Sequence, residues 1–203
     1  MQSMERVGIV CASDTELAPF LERMEKGETV ERAMLEFREG AIGKTRVVAV
    51  YSGVCKVNAT IATQLLVDVF QVDAVVNAGT AGGMREDVRL FDTIVAERTA
   101  YHDVADDVLT EFHPWMPSVY FQADERLLDA AKGYGRASKY PVLFGSIVTC
   151  RMLAAGFSVG SVERFGVAGD WGDECGWRKD HAGMGRIISA SIQFICDAEL
   201  QTG

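Results

Sequence analysis

A chain of 203 residues is long enough for one α/β domain with a substantial core. Its 29 Asp and Glu against 20 Lys and Arg give a formal charge of -9 with no basic cluster to offset it, which argues against nucleic acid or an anionic membrane surface as a partner. The cysteines (Cys11, Cys55, Cys150, Cys175 and Cys196) form no CxxC pair and no metal-type spacing, and the N-terminal residues lead into only a short apolar run, so a reducing cytoplasm is expected, with no signal peptide and no membrane span.

Residues 7–12, Val-Gly-Ile-Val-Cys-Ala, form a β-prone run that gives way at Ser13-Asp14 to a helix start, with Leu17, Phe20, Leu21 and Met24 at helical spacing. Ser13 or Asp14 suits the N-cap, and Glu16 falls in the first turn, beside the carboxyl end of the strand. By itself that placement suits a capping-box or dipole partner as well as a catalytic carboxylate.

Residues 35–38 and 44–52 predict a hairpin, turned through Glu39-Gly40 and Gly43. The second strand empties through Gly53 into a helix over residues 58–70 with Ala59, Ala62, Leu65, Leu66 and Val69 on one face. The stretch 73–83, Asp-Ala-Val-Val-Asn-Ala-Gly-Thr-Ala-Gly-Gly, then reads as a buried strand that runs into a ligand. Gly79, Gly82 and Gly83 remove side chains where the backbone turns or approaches a bound molecule, and the carboxyl ends of strands are where open α/β sheets bind ligands. A strand is expected over 92–99. Residues 103–122, acidic and then aromatic with Pro114 and Pro117, predict a loop packed over something, a lid or a dimer contact, or equally a surface loop pinned by its own aromatics. A helix over 124–133 and a strand over 142–149 follow.

Five motifs stand in one order: Val7-Gly-Ile-Val through Glu16, Ser52-Gly-Val-Cys-Lys-Val-Asn, Asn77-Ala-Gly-Thr-Ala-Gly-Gly, Tyr101-His-Asp and Gly145-Ser-Ile-Val-Thr. On these residues the chain resembles the 5'-methylthioadenosine/S-adenosylhomocysteine nucleosidases of the purine nucleoside phosphorylase superfamily. The resemblance implies a single α/β domain over 1–203, a three-layer α/β/α sandwich around a mixed, twisted sheet. It also implies hydrolysis of the bond between adenine and a 5'-thio-substituted ribose, without cofactor or metal, usually in a homodimer.

In that family a glutamate at the position matching Glu16 activates the attacking water, and an aspartate matching Asp197 protonates N7 of the purine. Thr80 and the backbone of Ala81 and Gly82 match positions lining the base and ribose, and Val54 matches an apolar position near the sugar. Two carboxyl groups with opposite tasks, one ionised and one holding its proton, suit displacement of a purine by water.

The last quarter departs from the pattern. Trp171-Gly172 stands where the family has a Met-Glu pair whose glutamate binds the ribose hydroxyls, Gln193 stands where it has an arginine, and the 150–154 stretch replaces a turn whose aromatic residue stacks on adenine. Leu153 and Trp171 remain candidates for substrate contact. The glycine-interrupted, polar residues 170–186 predict an irregular segment. The chain stops soon after Asp197, where relatives carry a further helix. A truncated or frame-altered coding region and a divergent enzyme both fit this ending. A non-catalytic nucleoside-binding protein is the alternative from another class. A phosphate-dependent phosphorylase is less favoured, because no arginine set stands beside Gly8 or Gly53.

Overall fold

The computed structural model describes residues 5–81, 87–89, 91–101, 104–112 and 117–149. They divide into two compact units, with the boundary between Gly79 and Thr80.

The first unit contains β1 (Arg6–Cys11), α1 (Asp14–Leu21), β2 (Glu25–Arg32), β3 (Leu35–Ile42), β4 (Thr45–Tyr51), α2 (Lys56–Asp68) and β5 (Ala74–Asn77). Its mixed sheet has the order β2-β3-β4-β1-β5. β1 lies at the centre of a parallel trio, paired with β4 from Arg6 opposite Arg46 to Cys11 opposite Tyr51, and with β5 from Val7 opposite Ala74 to Val10 opposite Asn77.

Strands covered on both faces need apolar residues at successive positions. Val47 to Val50 in β4 and Ile9 to Cys11 in β1 are all buried. On one face Val10, Val48, Val50 and Val75 pack with Ala62 and Leu66 of α2. On the other Ile9, Cys11, Val47 and Ala49 pack with Leu17 of α1 and with Met24. The first unit is therefore itself helix, sheet and helix in three layers. Gly8 lets α2 come close, because a Cβ there would stand 2.9 Å from Leu66 Cδ1.

The antiparallel part differs from the predicted hairpin. β3 runs straight through Glu39-Gly40, and the turn to β4 is made at Gly43, whose φ of +62° is the left-handed value glycine tolerates. Gly40 serves a different purpose: a Cβ there would collide with the backbone carbonyl of Glu25 on β2. β2 itself was not expected from the sequence. Its residues Glu-Lys-Gly-Glu-Thr-Val-Glu-Arg are nearly all exposed and it carries a bulge between Lys26 and Thr29, the charged, irregular form that suits an edge strand. Met24, which the helical spacing placed in α1, instead lies beyond the helix end at Leu21 and is buried as the chain turns into β2.

The second unit contains β6 (Thr93–Tyr101), α3 (Asp106–Thr110), β7 (Tyr120–Gln122), α4 (Glu125–Ala137) and β8 (Val142–Thr149). Its sheet, order β7-β6-β8, is also mixed: β8 runs parallel to β6 and β7 antiparallel. The residues predicted as a loop over 103–122 thus contribute a short helix and a strand that continues the sheet. α4 opens on Asp124, whose carboxylate accepts from the backbone N–H of Arg126 and Leu127, and Lys132 of α4 pairs with Glu97 of β6. Ile94, Ala96 and Ile147 form the small core of this unit. The α/β class expected from the sequence describes both units.

Candidate active site

The carboxyl ends of β1, β4 and β5 share one edge of the first sheet, and the ladder continues one step past each outer strand. Ser52 N–H donates to Cys11 O at 2.8 Å, and Ala78 N–H donates to Val10 O at 2.9 Å. Residues 12–16, 52–55 and 78–79, far apart in sequence, are brought to this edge. It is the position at which parallel sheets accept ligands, made here by α2 crossing from β4 past β1 to β5.

Glu16 is placed there by the end of β1. Ser13 is the N-cap of α1, in extended conformation, and its Oγ accepts from Glu16 N–H at 3.3 Å. The Glu16 carboxylate reaches back, so that Oε2 accepts from the backbone N–H of both Ala12 and Ser13 at 3.1 Å. This is a complete capping box, so the structural role open from the sequence is realised. The carboxylate is half-buried, and Gly79 packs directly against it: a Cβ on Gly79 would lie 3.0 Å from Glu16 Oε1.

Beneath Glu16 sits Cys11, fully buried, its thiol pushed up to about 12 by burial first and by the Glu16 charge second. A thiol so disposed stays neutral and packs as a small hydrophobe, with no nucleophilic part to play. Its place under the carboxylate is a feature that the sequence did not signal, since a cysteine closing an apolar strand looks like any other core residue.

The β4 exit is tightly wound. Buried Ser52 donates its hydroxyl to Gly53 O at 2.8 Å, Gly53 has φ +78°, and Asn58 Nδ2 donates to Val54 O at 2.6 Å. This holds Val54 exposed at the rim, on the same edge as Glu16. Cys55, ahead of α2, has φ +99° although it is not glycine. Of the other candidates, Thr80 is half-buried and Ala81 buried at the start of the second unit. Gly82, Leu153, Trp171 and Asp197, together with residues 170–186, lie outside the described residues. So the structure brings together Glu16, Val54 and Gly79 at one strand edge. Among the described residues no group of His, Cys, Asp and Glu has the arrangement of a metal site.

A strand edge that presents a held carboxylate and glycine-lined backbone has the form in which open α/β sheets bind small molecules. The family model of the phosphorylase superfamily matches residues 6–161, and the chain belongs to that superfamily. Within it the similarity is to 5'-methylthioadenosine/S-adenosylhomocysteine nucleosidases. The nucleosidase of Colwellia psychrerythraea is 35% identical over 140 residues, covering 66% of this chain and 56% of the relative. That of Geobacillus thermodenitrificans is 37% identical over 132 residues, 63% of this chain and 55% of the relative. The crystal structure of the Colwellia psychrerythraea enzyme in complex with adenine superposes with a TM-score of 0.71 at 32% identity, over 83% of this chain and 73% of that one. The chain spans little more than half the length of the curated relatives it matches.

Proposed function

We propose that this protein is an N-glycosyl hydrolase that releases adenine from 5'-methylthioadenosine or S-adenosylhomocysteine. The observation that carries the reading is the Glu16 carboxylate, held at the carboxyl edge of the parallel strands by two backbone amides. In the proposed reaction Glu16 takes a proton from water as the water oxygen bonds to C1' of the ribose. The bond from C1' to N9 breaks, and its electron pair leaves with the base, which Asp197 protonates at N7. Val54 contacts the sugar and its thio substituent, Thr80, Ala81 and Gly82 line the base and ribose, and Leu153 and Trp171 complete the substrate contacts. The reaction needs neither metal nor cofactor.

Arginine placement supports water over phosphate as the nucleophile. Arg6 and Arg46 lie at the amino ends of β1 and β4, the edge away from Glu16, and Arg6 is paired with Glu39. No arginine stands within residues 11–16, 52–58 or 77–79 to bind an anion in a fork. The family match runs across both units, which supports one domain over 1–203. A buried, reduced Cys11 suits the cytoplasm, and exposed Val57 and Ile61, one turn apart on α2, offer apolar area to a second copy in a homodimer.

The test is base release from methylthioadenosine, S-adenosylhomocysteine, adenosine and inosine, with and without phosphate. Adenine is expected from the 5'-thio nucleosides at a rate indifferent to phosphate. Glu16→Gln is expected to lower that rate by about 10²–10⁴-fold, the usual worth of a positioned general base. Nucleoside binding by calorimetry without any base release would replace the hydrolase with a binding protein.

A further inference from the structure

Gly79 is a glycine for an unusual reason. Its φ is not among the positive values of the described residues, so a left-handed backbone is not what calls for glycine there. What a side chain there would press against is Glu16. A Cβ at position 79 would lie 3.0 Å from Oε1, 3.2 Å from Cδ and 3.3 Å from Oε2, closer than carbon ordinarily approaches a carboxylate. From the other side, the amides of Ala12 and Ser13 hold Oε2, and the Ser13 hydroxyl fixes the start of α1 by accepting from Glu16 N–H. The carboxylate is confined between a backbone surface and two N–H donors.

We propose that Gly79 and Ser13 are positioning residues that together set where the Glu16 carboxylate stands: Gly79 by leaving room for it, Ser13 by closing the cap that aims it. This rests on Glu16 being the base. A base misplaced by about 1 Å can cost on the order of 100-fold in rate, whereas substrate affinity, which neither residue is assigned to supply, is expected to change little.

Three variants and two readouts test it. Gly79→Ala is expected to lower kcat at least tenfold with KM within about twofold. Its crystal structure is expected to show the carboxylate turned off the Ala12 and Ser13 amides. Ser13→Ala, which leaves the Glu16 pocket its shape and folds even if Gly79→Ala does not, is expected to lower kcat severalfold with KM unchanged. Ser13→Thr, which keeps the capping hydroxyl, is expected to recover most of that loss. A Gly79→Ala structure with Glu16 undisplaced, or equal activity in Ser13→Ala and the unaltered protein, would overturn the proposal. Failure of the base assignment looks different: Glu16→Gln would then turn over normally, whatever the crystal structure of Gly79→Ala shows.

Discussion

Glu16 caps a helix through Oε2 and comes closest to Gly79 through Oε1, and this crowding extends to the residue below it. Cys11 loses its proton near pH 9 in an unfolded chain but only near 12 in the folded one. Below pH 9 the thiol is neutral in both states. Between 9 and 12 the unfolded chain ionises first, so the stability present below pH 9 is lost as pH rises, by about 1.4 kcal/mol per pH unit at most. Urea denaturation of the protein and of Cys11→Ala at about pH 8 and about pH 10.5 is expected to show an excess loss of up to about 2 kcal/mol in the protein that keeps the thiol. A parallel pH response of the two would mean that the thiol is not burdened in this way. Cys55 is strained differently. Its φ of +99° is costly for a side chain with a Cβ and free for glycine. Cys55→Gly is expected to stabilise the protein by about 1 kcal/mol, read as a higher thermal midpoint; a lower midpoint would show that the thiol's own contacts outweigh the strain.

Among the elements, α2 is held against the sheet by close packing at Gly8. Leu66 is fully buried over Gly8 and packs with Val10, Val48 and Val75. Leu66→Ala is expected to cost about 2–5 kcal/mol, the usual range for emptying a packed core position, and denaturant titration checks it. The elements legible in the sequence were those whose residues are dictated by burial. β1, β4, β5 and β8 are apolar runs, and α2 and α4 show helical spacing, so their existence follows from local pattern. β2 was not legible because an edge strand buries little and so shows no alternation; its charges are instead what keeps the edge from pairing with another chain. Gly40 misled as a turn signal for a related reason. Glycine marks close backbone approach as readily as it marks a bend, and only the β2 carbonyl opposite decides which. β7 was hidden because three residues are too few for periodicity to show.

At the scale of the whole molecule, the candidate site was legible only in part. Glu16, Val54 and the 77–79 stretch could be singled out because each closes a strand in a recognisable motif. That they share one edge follows from a register that no single motif contains. The contact of Gly79 with Glu16 could not be read at all, since it depends on how far β5 extends beside β1. The arginines at the far edge of the sheet lead to a further expectation: phosphate added to a steady-state assay leaves kcat/KM unchanged. Strong phosphate dependence would move the protein to the phosphorolytic side of its superfamily.

The start of β1 is also fastened. Asp73 takes the backbone N–H of Glu5 and Arg6 on one carboxylate oxygen, and its own N–H donates to Arg6 O. The chain is thus pinned at the amino edge of the sheet, the six residues of β1 away from the Ala12 amide that holds Glu16, about 20 Å at the usual rise of a strand. Glu5 and the Glu16 carboxylate therefore stand at opposite edges of the first sheet.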